Sequence, residues 1–247
     1  MMRLIPAIDL RGGRCVRLRQ GDFAAETVFD LDPRELLERY RAWGADWVHV
    51  VDLDGARDGT TANRDVIALL AAQPGVQLQV GGGLRSIAAI LELLERGIAR
   101  AVIGSLALSA PAQIGAVARE LGAQRIVVAL DVRIDSTNVP RVATHGWRQQ
   151  TATALWDAVE AVAAEGLTRV LCTDVARDGM LAGPNLDLYR EGVRRFPALE
   201  WQASGGIRGV QDLAALAQTG VAAAVSGRAL LEERMNPEEL RPFLPNA

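Results

Sequence analysis

Short apolar runs alternate along the chain with longer segments of helical period. The runs are "RLIPAID" (3–9), "WVHVVD" (47–52), "VQLQV" (76–80), "RAVIG" (100–104), "RIVVALD" (125–131), "RVLCT" (169–173), "LEWQAS" (199–204) and "VAAAVS" (221–226). Several are apolar on successive residues, as strands covered on both faces are. The segments between them carry helix-end signals. Asp32 precedes Pro33, and that stretch stops at Gly44. Ser86 opens a segment that stops at Gly97, and Asn236 with Pro237 opens the last one. A further segment is read as helical from Thr151 to Gly166. Eight strands alternating with helices, with no linker or composition shift, predict a single (β/α)8 TIM barrel domain over residues 1–247.

Two pieces exceed a simple βα loop. Residues 12–32 read as a short hairpin plus a mobile segment, and residues 133–150 as a hairpin turning at "DSTN". Both follow strand carboxyl ends, the first and the fifth, where a barrel keeps its active face. Long loops there are candidate lids.

The second half echoes the first. Asp9 aligns with Asp131 and Asp52 with Asp174 at an offset of 122. "VGGGLRS" aligns with "ASGGIRG", and "AVIGSLAL" with "AVSGRALL", at an offset of 123. A register held this closely predicts two fused (βα)4 halves, roughly 1–122 and 123–247. The tetrapeptide "ARDG" also occurs twice, at 56–59 and 176–179, but 120 residues apart. Its copies are therefore out of step with the repeat.

Charge and composition narrow the function classes. The formal net charge is −3 with no basic stripe, which argues against a nucleic-acid partner. No apolar run nears the ~18 residues of a membrane span, and the N-terminus reads as no signal peptide. Cys15 and Cys172 lie in apolar runs and read as reduced core thiols of a cytoplasmic protein. Two histidines, His49 and His145, make no metal cluster, and no GxGxxG follows the first strand. The chain is expected to work as a monomer on a small molecule.

The repeat sets candidate chemistry on opposite sides of a barrel mouth. Gly82-Gly83 and Gly104-Ser105 follow strands three and four; Gly205-Gly206 and Gly227-Arg228 follow strands seven and eight. Glycine turns there serve tight chain reversal, and their N–H groups can also converge on an anion. Two such pairs predict a substrate with a phosphate at each end. Asp9 and Asp131 end the first and fifth strands, and Asp178 follows the sixth. A carboxylate pair between two phosphate sites points to general acid–base work.

Together "IPAIDLRGGRCVRLRQGD", "VGGGLRS", "ALDVR", "HGW", "CTDVARDG", "LAGPN", "ASGGIR" and "SGRALLE" resemble the phosphoribosylformimino-5-aminoimidazole carboxamide ribotide isomerases of histidine biosynthesis, across essentially the whole chain. The resemblance implies a two-fold barrel that performs an Amadori rearrangement, opening an aminoaldose ring into an aminoketose, without cofactor or metal. It implies Asp9 as the base and either Asp131 or Asp178 as the acid. Thr173 would bond the ribose or the strand-five carboxylate, Trp147 would stack on the aminoimidazole, and Arg19 and Arg85 would grip the substrate. Met180 stands where the family often has Thr, which predicts tuning rather than loss. A related isomerase that also accepts phosphoribosylanthranilate fits the same residues, and a barrel that only binds a sugar phosphate is the non-enzymatic alternative. The related cyclase usually has a catalytic lysine near "CLDV", and this chain has no lysine at all.

Overall fold

The computed structural model describes residues 1–246 apart from Gln20, His145, Gly146 and Arg148, and without the side chains of Arg19, Gln149 and Gln150. Strands in chain order are β1 (Arg3–Arg11), β2 (Arg14–Arg19), β3 (Asp22–Val28), β4 (Trp47–Asp52), β5 (Gln77–Gly81), β6 (Arg100–Ile103), β7 (Ile126–Ile134), β8 (Pro140–Thr144), β9 (Gln149–Ala154), β10 (Arg169–Asp174), β11 (Glu200–Ser204) and β12 (Ala223–Ser226). Among the described residues, eight of them close a parallel barrel in the order β1, β4, β5, β6, β7, β10, β11, β12 and back to β1. The predicted (β/α)8 fold is the observed one.

The helices are α1 (Pro33–Ala42), α2 (Leu53–Asp58), α3 (Arg64–Ala71), α4 (Ile87–Glu95), α5 (Ser105–Ser109), α6 (Pro111–Leu121), α7 (Leu155–Ala164), α8 (Leu186–Arg195), α9 (Val210–Ala217), α10 (Arg228–Leu231) and α11 (Pro237–Leu240). The caps expected at Asp32, Ser86 and Asn236 accept backbone N–H groups of the first turn. None of these helices is long and apolar enough to cross a membrane.

Two expectations need correction. The helix read from Thr151 begins at Leu155; residues 151–154 belong to β9, where Thr and Ala alternate with strand period. Residues 133–150 are more than one hairpin. β7 runs on to Ile134, turns at residues 135–138 and pairs with β8, which pairs with β9. The segment after β1 does fold back: β2 pairs antiparallel with β1 and with β3.

The repeat reaches the strand registers. Ala7 lies beside His49, and Ala129 beside Leu171. Val50 lies beside Val80, and Cys172 beside Ala203. Gln79 lies beside Arg100 and Gln202 beside Ala223; Ala101 lies beside Ile126 and Ala224 beside Leu4. Each second pair follows from the first by the offsets 122 and 123 read from the sequence.

Alternation along the strands separates two cores. Leu4, Ile8, Val48, Val50, Leu78 and Val128 join the large core under the helices. Ile5, Ala7, Trp47, Val102, Val127 and Leu171 pack together in a second, smaller core of the barrel strands. Near it Gln79 and Gln202 exchange side-chain hydrogen bonds of 2.8 and 3.1 Å, so each amide satisfies its own copy in the other half. A second buried polar device also repeats. Asn63 donates to Asp52 at 2.6 Å, and Asn185 donates to Asp174 at 2.8 Å.

Candidate active site

A cavity of about 700 Å³ opens at the carboxyl ends of the barrel strands. Asp9, Asp131, Thr173, Asp178, Trp147 and Arg85 line it, as do the paired turns Gly82-Gly83, Gly104-Ser105, Gly205-Gly206 and Gly227-Arg228. Of the predicted site residues, only Arg19 is not accounted for. It ends β2, and its side chain lies outside the described residues.

The glycine turns have a steric cause that repeats with the fold. Gly82 and Gly205 have φ of 107° and 98°, a region L residues rarely occupy. A Cβ on Gly82 would run into the carbonyl oxygen of Asp52, and one on Gly205 would lie 2.8 Å from that of Asp174. Each turn is therefore pressed against the start of the preceding βα loop. The next turns lead into α5 and α10, whose first N–H groups have no partner within their helix.

Asp9 is buried at the end of β1. Burial raises its carboxyl above the ordinary range, Arg17 pulls it back, and the charge of Asp178 raises it further. Arg17 Nη1 donates to Asp9 Oδ2 at 2.7 Å, and its Nη2 donates to both oxygens of Asp178 at 3.0 and 3.1 Å. Asp131 is raised by burial too. Hydrogen bonds from the side chains of Trp147 and Thr173 oppose that shift, and Asp178 adds to it. Of the two partners offered to Thr173, it takes the carboxylate. The indole of Trp147 donates to the same carboxylate, and its ring packs against Gly21 at the tip of the β2–β3 hairpin. The two long insertions thus meet over the mouth.

Arg85 is occupied with the chain itself: its guanidinium donates to the carbonyls of Ala56 and Arg57 at the end of α2. Arg228 bonds Glu232 at 2.6 Å and donates to the carbonyl oxygen of Gly179, tying the Asp178 turn to α10. Met180 is 42% exposed and lines no part of the cavity, so the missing hydroxyl does not alter its wall. The two "ARDG" copies differ as their spacing requires. The first ends α2 with Gly59 as a left-handed cap, whereas the second turns Asp178 inward.

Arg17 is the residue that sequence reasoning missed. One signal was present: an arginine inside the apolar run "CVRL" must be paired if it is buried.

The sequence profile described as "Histidine biosynthesis protein" matches residues 3–236. Three curated relatives have the name 1-(5-phosphoribosyl)-5-((5-phosphoribosylamino)methylideneamino) imidazole-4-carboxamide isomerase. The one from Alteromonas mediterranea is 44% identical over 236 residues, 96% of each chain. The one from Legionella pneumophila (strain Lens) is 44% identical over 239 residues, 97% of this chain and 99% of its own. The one from Klebsiella pneumoniae is 44% identical over 236 residues, 96% of each. This chain belongs to the histidine biosynthesis protein family.

Proposed function

We propose that the chain is an aldose–ketose isomerase that converts the phosphoribosylformimino-aminoimidazole carboxamide ribotide, an aminoaldose with a phosphate at each end, into its aminoketose form. One observation carries this reading: a single cavity holds two equivalent sets of glycine turns together with the strand-end carboxylates Asp9 and Asp131. In it, Gly82, Gly83, Gly104 and Ser105 take one phosphate, and Gly205, Gly206, Gly227 and Arg228 take the other. The protein is read as one barrel domain of two halves, acting in the cytoplasm as a monomer.

Asp131 is the proton donor in this reading and Asp9 the acceptor. Burial favours the protonated form of Asp131, and the groups that oppose it are an indole and a hydroxyl rather than a cation. Asp178 shares the Arg17 guanidinium with Asp9, so its carboxylate is already committed to an ion pair, whereas no cation pairs with Asp131 among the described residues. Asp131 protonates the ring oxygen as its bond to C1′ breaks, and the nitrogen lone pair completes a C=N bond. Asp9 then removes the C2′ proton, and the electrons return to nitrogen. Protonation at C1′ with loss of the 2′-hydroxyl proton yields the ketone. Arg19, Arg85 and Trp147 orient the substrate around this step.

The test is turnover of Asp9→Asn and Asp131→Asn. Each should lose about 10²–10⁴-fold in kcat, with substrate binding held within several-fold. Near-normal kcat in either variant removes that residue from its role. A larger loss in Asp178→Asn than in Asp131→Asn moves the acid to Asp178.

A further inference from the structure

The cation beside Asp9 comes from the inserted hairpin. Arg17 lies on β2, between the buried Val16 and Leu18, and its side chain is only 15% exposed. One of its terminal nitrogens holds Asp9 at the end of β1, and the other straddles the carboxylate of Asp178 in the turn after β10. A third wall is Gly227: a Cβ there would lie 3.0 Å from Arg17 Nη1, so this glycine makes room for the guanidinium. The hairpin that delivers Arg17 is itself pinned. Arg11 pairs with Glu26 across it, and Phe23 lies 5.5 Å from the guanidinium carbons of both Arg11 and Arg57.

We infer that Arg17 is a positioning residue for the proposed reaction: it fixes the direction of the Asp9 carboxylate and supplies the charge that lets a buried carboxylate remain a base. The inference rests on Asp9 being that base. Its sign follows from the neighbours. Among the described residues, the charged and titratable groups that act on Asp9 or on Arg17 are Asp178 beyond β10, Cys15 on β2, Tyr40 on α1 and His49 on β4. Burial pushes Cys15 up to about 12 and Tyr40 upward as well, and it lowers His49 to about 4. All three are neutral near pH 7. Among the described residues, Asp9 then faces one cation, Arg17, and one further anion, Asp178. Burial opposes the charge on Arg17, but Asp178 and Asp9 outweigh it, so Arg17 stays protonated. Without Arg17, burial and Asp178 act on Asp9 in the same direction, and it holds its proton to higher pH.

The experiment compares pH profiles of kcat/KM for the wild type, Arg17→Gln and Arg17→Lys. In Arg17→Gln the acid limb should move to higher pH, so that activity falls about tenfold or more at the acid end relative to the alkaline end. Arg17→Lys should restore most of the limb. A uniform loss across pH, with the limb unmoved, overturns the inference and leaves Arg17 as a binding or folding residue. A readout free of turnover covers the case of an inactive variant. In carbon-13 NMR of the substrate-free protein, the Asp9 carboxyl signal, identified by its absence in Asp9→Asn, should titrate at higher pH in Arg17→Gln. An unchanged titration overturns the inference as well. Full activity in Asp9→Asn would sink the role of Asp9 instead, whatever the NMR titration gives.

Discussion

Acid should destabilise this fold through one buried histidine. His49 is 6% exposed on β4, and its Nδ1 lies 3.2 Å from the side-chain nitrogen of Gln79. An amide nitrogen only donates, so Nδ1 accepts, and the ring is neutral with its proton on Nε2. Burial above all, with the charge of Arg17 adding to it, lowers its pKa from 6.5 to about 4. The unfolded chain therefore takes up a proton below pH 6.5 that the folded chain refuses until about pH 4. Stability is complete above that window and is lost as the pH falls through it. The interval is worth about 3 kcal/mol, at about 1.4 kcal/mol per pH unit, against a typical total of about 5–15 kcal/mol. Urea denaturation from about pH 7.5 to pH 4 measures it, with His49→Asn as the reference. Asparagine keeps an acceptor near the Nδ1 position and does not titrate. Asp9 and Asp131 act in the opposite sense, because their raised carboxyls favour the folded state as they protonate. That contribution is common to both proteins and cancels in the difference. The stability gap between wild type and variant should shrink or reverse by about 3 kcal/mol across the range. A gap independent of pH would refute the buried, neutral assignment.

Alanine should be poorly tolerated at Gly82 and Gly205, at a cost of at least about 1–3 kcal/mol from backbone strain alone. Gly82 should be the worse of the two in thermal melts, because its Cβ has less room; equal and negligible shifts would contradict the packing. Asn63→Ala and Asn185→Ala each strip a buried aspartate of its amide donor and should cost about 1–3 kcal/mol in urea titrations. No loss at either site would mean that water replaces the amide.

The barrel was legible because each of its strands is a short apolar run and most of its helices declare their ends. Helix α3 escaped for a local reason. Its first flanking residue, Asn63, makes no side-chain cap: its Oδ1 accepts from the Gly13 N–H and its amide donates to Asp52, so the usual start signal points elsewhere. β9 escaped because "QQTATA" is rich in alanine and directly precedes a helix. At the site, the strand-end aspartates and the glycine turns were legible from the repeat alone. Arg17 was not. The resemblance drew attention to Arg19, and no periodicity within β2 reports that Arg17 bridges to a turn 161 residues away. Trp147 and Arg85 were legible as cavity residues, but their contacts with Asp131 and with the end of α2 depend on how the loops pack.

The reciprocal amides of Gln79 and Gln202 bear on how such a chain can change. In an assembly of two identical half-barrels, that contact would be one glutamine meeting its own copy, and every substitution there would strike twice. Joining the halves in one polypeptide ends this constraint. Each position can then drift alone, provided the partner amide remains satisfied. The neighbours already differ: the position that holds His49 on one side holds Leu171 on the other. The two halves are thus free to differ in chemistry where they agree in shape: one carries a titratable ring where the other carries a hydrocarbon.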